Sequence, residues 1–281
     1  MTHIDKNKFG PWAIVTGASS GIGAEFAQQL AASGLNLVLV ARRLPVLEEV
    51  GRGLAKQFGV AYRAVGVDLS DERFLEPLAE ATRDLDVGLV ISNAGATVYG
   101  EFLTRDRASL HESLRLNVTA HLNLIHHYGQ GLAKRRRGGV ILVSSMAGLQ
   151  GTPYMTDYAA AKAYVLSLGE ALHVEFQKLG LHVTVLLPGP TDTPMMTNSG
   201  TDPSDTPMKL MSAQECVAEG LAALGANRAT HIAGRLNRMM LALIPRSVRP
   251  KMMGAMVAKG LARIKSEAEP VGEKLAEKKR S

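Results

Sequence analysis

Short apolar runs alternate with amphipathic stretches along most of the chain. The runs are rich in Val, Ile and Leu, and each is followed by residues with helical spacing of apolar positions. Apolar runs of this length are typical of strands buried on both faces, and the alternation predicts a doubly wound α/β fold with a parallel sheet. The predicted strands lie near residues 12–16, 35–41, 62–67, 87–92, 140–145, 182–187 and 230–233.

The first predicted strand leads into a glycine-rich turn. Apolar residues at four-residue intervals follow this turn and mark a helix that closes at Gly34. Glycines let the backbone turn tightly and approach a pyrophosphate, and a helix N-terminus offers unpaired N–H groups with a partial positive charge. The pattern therefore predicts a bound dinucleotide. We expect its contacts to come from Gly17, Ser19, Ser20, Gly21, Ile22 and Gly23.

Tyr158 and Lys162 lie four residues apart in an Ala-rich run, so they share one face of a predicted helix. A free phenol titrates near pH ~10, but an ammonium group one turn away stabilises the phenolate. We therefore expect Lys162 to lower the pKa of Tyr158, which then serves as a general acid or base. A preceding strand ends in Ser144 and Ser145, either of which could hold the reacting oxygen. The spacing of Tyr158 and Lys162 could also arise by chance, and the two serines could simply be the residues at which the strand ends.

These features together resemble the short-chain dehydrogenase/reductase (SDR) family. The resemblance spans about residues 12–195. It implies a Rossmann-like, doubly wound parallel sheet in one domain and reversible hydride transfer between a nicotinamide and a carbonyl or secondary alcohol, an EC 1.1.1-type reaction. In the family's order, its motifs are the spacing Gly17-x-x-x-Gly21-x-Gly23, Asn93-Ala94-Gly95, Asn117, Ser145, Tyr158-x-x-x-Lys162, and Pro188 to Thr193.

The resemblance assigns catalytic roles to four residues. Ser145, thirteen residues before Tyr158, is selected to hold the substrate oxygen. Tyr158 donates the proton, and Lys162 also grips the nicotinamide ribose. Asn117 lies in a predicted helix from about Ser109 to Ala133 and would hold a water that relays protons to solvent. A buried Asn could equally be a structural amide, and it can distort a helix locally.

The end of the second strand discriminates between cofactors. Arg42 and Arg43 stand where an acidic residue would bind the ribose hydroxyls of NAD. Arginine suits a 2′-phosphate, so we expect NADP(H) in preference to NAD(H), although both residues could be ordinary surface arginines. The next strand ends at Asp68, which could also cap a helix. By resemblance, further cofactor contacts come from Asp68, Leu69, Asn93, Ala94, Gly95, Pro188, Gly189, Thr191 and Thr193, with Thr193 at the carboxamide.

Composition narrows the class of protein. The first ten residues lack the apolar core of a secretory signal and no long uncharged apolar run occurs, so we expect a cytoplasmic protein. A single cysteine, Cys216, excludes an intramolecular disulfide, and the eight histidines lack ligand spacing, so we expect no metal. The net charge is +6, but aromatic residues make up only 5% and do not interleave with the basic runs, so we expect no nucleic acid.

The resemblance fades after Gly234. The remaining residues mix Met and Leu with Arg and Lys and are broken by Pro245 and Pro250. Such a segment could touch an anionic membrane surface weakly. We favour packing on its own fold, on a partner subunit or as a wall of the substrate pocket, because apolar stripes usually mark contact faces. We divide the chain into an N-terminal tail (1–10), a catalytic domain (11–234) and a helical extension (235–281).

We expect an apolar carbonyl or alcohol substrate and a homo-oligomer, since family members often pair through their long helices. The polar, methionine-containing composition between Met195 and Met211 favours a mobile loop that covers the substrate, or a plain surface loop. Two other functions remain open. One is a non-catalytic NADPH-binding regulator or scaffold, and the other is a membrane-surface reductase of lipid-derived ketones.

Overall fold

A seven-stranded parallel sheet forms the centre of the protein. The structure, a computed structural model, describes residues 4–197 and 210–268. The strand order is β3-β2-β1-β4-β5-β6-β7, and every neighbouring pair is parallel. The strands are β1 (Trp12–Thr16), β2 (Asn36–Ala41), β3 (Tyr62–Gly66), β4 (Val87–Ser92), β5 (Gly139–Val143), β6 (His182–Leu187) and β7 (Thr230–Ile232).

Helices connect the strands and cover both faces of the sheet. Because the strand order reverses between β1 and β4, the sheet has the switch point at which open α/β folds bind ligands. The predicted Rossmann-like, doubly wound sheet is confirmed. The helices are α1 (Lys6–Phe9), α2 (Gly21–Ala32), α3 (Leu44–Phe58), α4 (Leu75–Thr82), α5 (Arg107–Leu114), α6 (Ala120–Arg135), α7 (Thr156–Gln177), α8 (Pro194–Thr197), α9 (Ala213–Gly225), α10 (Arg235–Leu243) and α11 (Arg249–Ala268).

Two apolar layers form the core, one on each side of the sheet. Successive strand residues point to opposite faces, so Val15 joins one layer and Ile14 the other. On the first side α2 contributes Phe26, and on the second α6 contributes Leu124, both buried. Burial on both faces explains why the strands read as continuous apolar runs.

The segment predicted to be helical from Ser109 to Ala133 is helical throughout, with a local distortion in its middle. A π-helical turn, Arg115–Thr119, separates α5 from α6. Asn117 in this turn donates to the carbonyl oxygens of Ser113 at 3.0 Å and Ala96 at 2.9 Å. A side chain that bonds the preceding turn and a neighbouring loop competes with the regular ladder, which accounts for the distortion.

Both ends of the described chain pack on the sheet domain. Phe9 of α1, inside the segment expected to be a tail, is buried. In α10, Arg238 donates to the Glu219 carboxylate at 3.0 Å and to the Ile232 carbonyl at 2.6 Å. The expectation that the extension packs on its own fold is confirmed for its described part. None of the helices in the described ranges is long and apolar enough to cross a membrane.

Candidate active site

A cavity of about 440 Å³ lies beyond the carboxyl ends of the strands. The segments that follow β1 to β6 all contribute to its lining. This is where open α/β sheets bind ligands. Every cofactor residue predicted from the sequence lines this cavity, as do Ser145, Tyr158 and Lys162, whereas Asn117 lies behind its wall.

The glycine turn after β1 forms a tight cradle. A Cβ atom at Gly23 would lie 2.2 Å from the carbonyl oxygen of Gly17 and 2.7 Å from Nδ2 of Asn93. Gly17 and Gly21 adopt φ angles of 68° and 57°, in the region that favours glycine. Within the described residues, the Ser20 side chain caps no N–H group of α2. The first turn of this helix therefore keeps donors for an anion.

Thr16 joins the glycine turn to the segment after β4, and sequence reasoning missed it. Its Oγ1 accepts from the backbone N–H groups of Asn93 at 2.8 Å and Ala94 at 3.0 Å. In return, Nδ2 of Asn93 donates to the Thr16 carbonyl at 2.8 Å. A threonine at a strand end gives no signal by itself, because its role depends on which strand lies beside it.

Cationic side chains stand at one end of the cavity. Nη2 of Arg43 donates to Oγ of Ser19 at 3.2 Å, and Arg42 lines the same region. Asp68 accepts from the N–H of Ser70 at 2.9 Å and its hydroxyl at 2.8 Å, and α4 begins only at Leu75. Asp68 therefore starts a turn and does not cap that helix. A glycine cradle with guanidinium groups beside it fits a dinucleotide that carries an extra phosphate.

Tyr158 and Lys162 face the cavity from the first turns of α7, and Ser145 faces it from the end of β5. Nζ of Lys162 lies 5.7 Å from the centre of the Tyr158 ring and donates to the Val143 carbonyl at 2.9 Å. Ser144 instead donates its hydroxyl to the Lys162 carbonyl at 2.7 Å, which fixes α7 against the strand. Ser145 is instead the serine whose side chain lies beside the Tyr158 hydroxyl.

Burial controls the protonation states of Tyr158 and Lys162. It raises the pKa of Tyr158 to about 12, an effect that the neighbouring Ser145 hydroxyl opposes. It also lowers the pKa of Lys162 to about 8. The expected lowering of the Tyr158 pKa by Lys162 is therefore wrong for this structure, because desolvation of the phenol dominates. Tyr158 is protonated at neutral pH and can donate a proton.

Asn117 and Lys162 meet behind Gly95. A Cβ atom at Gly95 would lie 2.8 Å from Oδ1 of Asn117 and 3.2 Å from Nζ of Lys162. The Asn117 amide also accepts from the N–H of Ala96 at 3.2 Å and donates to the carbonyl of the same residue. Because its amide is already paired, these contacts favour an anchoring role for Asn117 over the expected water relay, which stays a prediction.

Methionines form the opposite, apolar end of the cavity. Met253, Met256 and Val257 of α11 line it, so the extension supplies a wall of the pocket, as one of the sequence alternatives held. Residues 198–209, within the segment expected to cover the substrate, lie outside the described residues. Sequence reasoning did not single out some further residues that line the cavity. They are Ala96, Thr97 and Tyr99 after β4, Leu116 in the π-helical turn, and Met155 before α7.

A nucleotide-binding sheet whose cavity holds a tyrosine, a serine and a buried lysine defines a nicotinamide-dependent oxidoreductase. Residues 11–204 match the short chain dehydrogenase family, and the chain belongs to this family. It is an enzyme that acts on CH–OH or C=O groups.

Relatives and solved structures support this assignment. The chain is 34% identical over 234 residues to a 7beta-hydroxysteroid dehydrogenase of Clostridium sardiniense, covering 83% of this chain and 89% of the relative. A solved 7beta-hydroxysteroid dehydrogenase superposes with a TM-score of 0.81 at 29% identity, covering 89% and 99% of the two chains. A short-chain dehydrogenase from Sphingobium yanoikuyae in complex with NADPH gives 0.75 at 28% identity, covering 85% and 98%.

Proposed function

We propose that this enzyme is an NADP(H)-dependent reductase of bulky, apolar ketones that also catalyses the reverse oxidation of the secondary alcohol. The observation that carries the proposal is the position of a buried, protonated Tyr158 beside Ser145 and Lys162, between a dinucleotide cradle and a methionine-lined pocket. That arrangement supports a role for Tyr158 as the proton donor between the cofactor and the substrate.

The catalytic roles follow from the contacts. When bound, the nicotinamide would supply the hydride that forms the new C–H bond. The Ser145 hydroxyl donates a hydrogen bond to the carbonyl oxygen, and Tyr158 transfers its proton to that oxygen as charge develops. Lys162 lies beside the phenol and would bind a ribose hydroxyl of the cofactor, and Asn117 holds the backbone at Ala96 beside them.

The preference for NADP(H) rests on Arg42 and Arg43. Both are exposed at the end of β2 and line the cavity near Ser19, and no acidic residue replaces them there. Guanidinium groups bind a phosphate through charge-assisted hydrogen bonds. The glycine cradle, Asp68, Leu69, and the turn from Pro188 to Thr193 hold the rest of the cofactor.

The substrate class rests on the lining and on the relatives. Methionine side chains adapt to large apolar ligands of irregular shape, and Met155, Met195, Met253 and Met256 all line the cavity. The two 7beta-hydroxysteroid dehydrogenases above act on steroids by name. We therefore propose polycyclic ketones, steroids among them, as substrates.

We further propose a homo-oligomer that works in the cytoplasm. Exposed apolar side chains on α6 and α7, among them Leu122, Tyr164 and Val174, offer a contact surface. The single cysteine, Cys216, is buried and suits a reducing compartment. Light scattering on a size-exclusion column would test the assembly, and a monomer at micromolar concentration would contradict it.

A direct test follows NADPH and NADH consumption by the purified enzyme with a panel of steroid ketones, aryl ketones, short aldehydes and quinones. We expect turnover with NADPH on the bulky ketones and little on the short aldehydes. NADPH binding without turnover on any ketone would favour the second candidate, a cofactor-binding regulator. That candidate has one supporting observation, a relative named inactive hydroxysteroid dehydrogenase-like protein 1 of Homo sapiens, 31% identical over 64% of this chain.

A further inference from the structure

The segment from Ala96 to Arg105, called here the pocket loop, joins the cofactor side of the site to α5. Thr97 and Tyr99 on this loop line the cavity. The loop buries little apolar surface of its own, since the side chains of Phe102 and Leu103 are 50% and 93% exposed. Its position must therefore depend on polar contacts with neighbouring elements.

The pocket loop is tied to neighbouring elements at its start, in its middle and at its end. At its start, the Asn117 amide bonds both backbone groups of Ala96. In its middle, the N–H of Gly100 donates to the Tyr154 carbonyl at 3.0 Å. At its end, Nη1 of Arg105 donates to Oδ1 of Asp157 in an ion pair.

The Arg105–Asp157 ion pair is buried, with side chains only 8% and 7% exposed. The pair is also incompletely bonded. Among the described residues, Nε and Nη2 of Arg105 and Oδ2 of Asp157 have no hydrogen-bond partner. Two desolvated charges joined by one bond are a poor source of folding stability, because their desolvation offsets the attraction between them. A role in placing the loop explains this pair better than a role in stability.

Asp157 immediately precedes Tyr158 in the first turn of α7. We propose that Arg105 is a positioning residue for the substrate. Through Asp157 it fixes the pocket loop to the helix that carries the proton donor, so that Thr97 and Tyr99 form the substrate wall beside Tyr158. The inference rests on the proposed ketone reductase function and adds a residue to its substrate specificity.

The cofactor side should not depend on this ion pair. The segment from Asn93 to Gly95 is held separately by Thr16, through bonds of 2.8 and 3.0 Å from the N–H groups of Asn93 and Ala94. Loss of Arg105 would thus loosen the substrate wall and leave the cradle in place. This difference separates positioning of the loop from general damage to the fold.

The test compares Arg105→Met with the wild type by steady-state kinetics on a bulky ketone and by NADPH titration. We expect the KM for the ketone to rise about tenfold or more, with kcat and the NADPH Kd within about twofold. Asp157→Asn should give the same split, and the double variant should be no worse than either single variant, since both break one contact. Arg105→Lys should recover part of the loss. The control variant Arg63→Met removes the exposed ion pair with Asp84 and should leave the ketone KM and the NADPH Kd as in the wild type.

Hydrogen exchange supplies a readout that needs no turnover. Backbone amides of residues 97–104 should exchange faster in Arg105→Met, with those of α2 and of Asn93 to Gly95 unchanged. Unaltered KM and unaltered exchange in a folded variant would overturn the proposal, as would an equal loss of NADPH and ketone affinity. If the wild type reduces no ketone, the proposed function fails, and the exchange data alone then decide whether Arg105 holds the loop.

Discussion

At Lys162 the fold keeps an ammonium group out of water, 2% exposed, beside Tyr158, the proposed proton donor. Its pKa falls from the ordinary 10.5 to about 8. Below pH 8 the folded protein carries a desolvated charge that the unfolded chain hydrates freely. Between pH 8 and 10.5 the folded state binds fewer protons than the unfolded state at this site, so the free energy of unfolding should rise with pH there.

Lys162→Met should therefore stabilise the protein while it abolishes turnover. Each pKa unit corresponds to about 1.4 kcal/mol, and loss of the bond to the Val143 carbonyl offsets part of the gain. We expect the unfolding free energy at pH 7 to rise by about 1–3 kcal/mol, measured by denaturant titration. The advantage should shrink from pH 8 to 10.5, whereas Lys251→Met on the exposed side of α11 should show no such trend. A variant less stable than the wild type at pH 7 would refute the desolvation argument.

At the scale of one side chain, we propose that Arg43 selects NADPH over NADH. A charge-assisted hydrogen bond contributes about 1.5–3 kcal/mol, so Arg43→Ala should raise the KM for NADPH about 10–100-fold and leave that for NADH nearly unchanged. Initial rates with both cofactors measure this ratio. Arg52→Ala, an exposed arginine on α3, is the control. An equal change for both cofactors would assign the 2′-phosphate to other residues.

At the scale of elements, the glycine turn between β1 and α2 shows how packing creates a binding site. A methyl group at Gly23 would collide with the Gly17 carbonyl and the Asn93 amide. Overpacking of this kind costs about 1–3 kcal/mol, so Gly23→Ala should raise the NADPH Kd about tenfold or more. Fluorescence titration with NADPH measures this Kd.

Gly53 in α3 provides the matched control, because a Cβ there meets nothing within 4 Å. Gly53→Ala should stabilise the protein by about 0.4–1 kcal/mol, mainly by restricting the unfolded chain. NADPH affinity should not change. If both variants bound NADPH as the wild type does, the cradle would not be the binding site.

The sequence predicted elements whose signal is local. The strands and the glycine turn both follow from nearby residues. A local distortion at Asn117 was expected, but its form as a π-helical turn was not, because this depends on Ala96 in a separate loop. The raised pKa of Tyr158 also could not be predicted from the sequence, since it depends on burial by distant elements and not on the spacing to Lys162.

At the scale of the whole molecule, the C-terminal extension supplies part of the cavity wall, which we propose to be the substrate side. α11 lies against the loop before α7, where a Cβ at Gly254 would lie 2.9 Å from the Pro153 ring, and it presents Met253 and Met256 to the cavity. The extension was the part of the chain least determined by family resemblance. Its apolar stripe indicated a contact face, but only the folded chain shows that this face lies against the cavity.

Met256→Gln should therefore weaken the binding of bulky ketones. An unpaired amide in an apolar pocket costs about 1–3 kcal/mol, so the KM for the ketone should rise about tenfold, with NADPH affinity unchanged. Met239→Gln, on the exposed face of α10, is the control and should leave both constants as in the wild type. Equal effects of the two variants would place the substrate elsewhere.

The central claim is hydride transfer to a ketone with Tyr158 as the proton donor. The most direct measurement uses NADPH with both C4 hydrogens of the nicotinamide replaced by deuterium and follows deuterium into the product alcohol by mass spectrometry, with wild-type and Tyr158→Phe enzyme. We predict one deuterium on the carbinol carbon in the wild type. In Tyr158→Phe, turnover should fall about 10²–10⁴-fold, with NADPH binding intact. Alcohol without deuterium, or equal turnover by the variant, would contradict the claim.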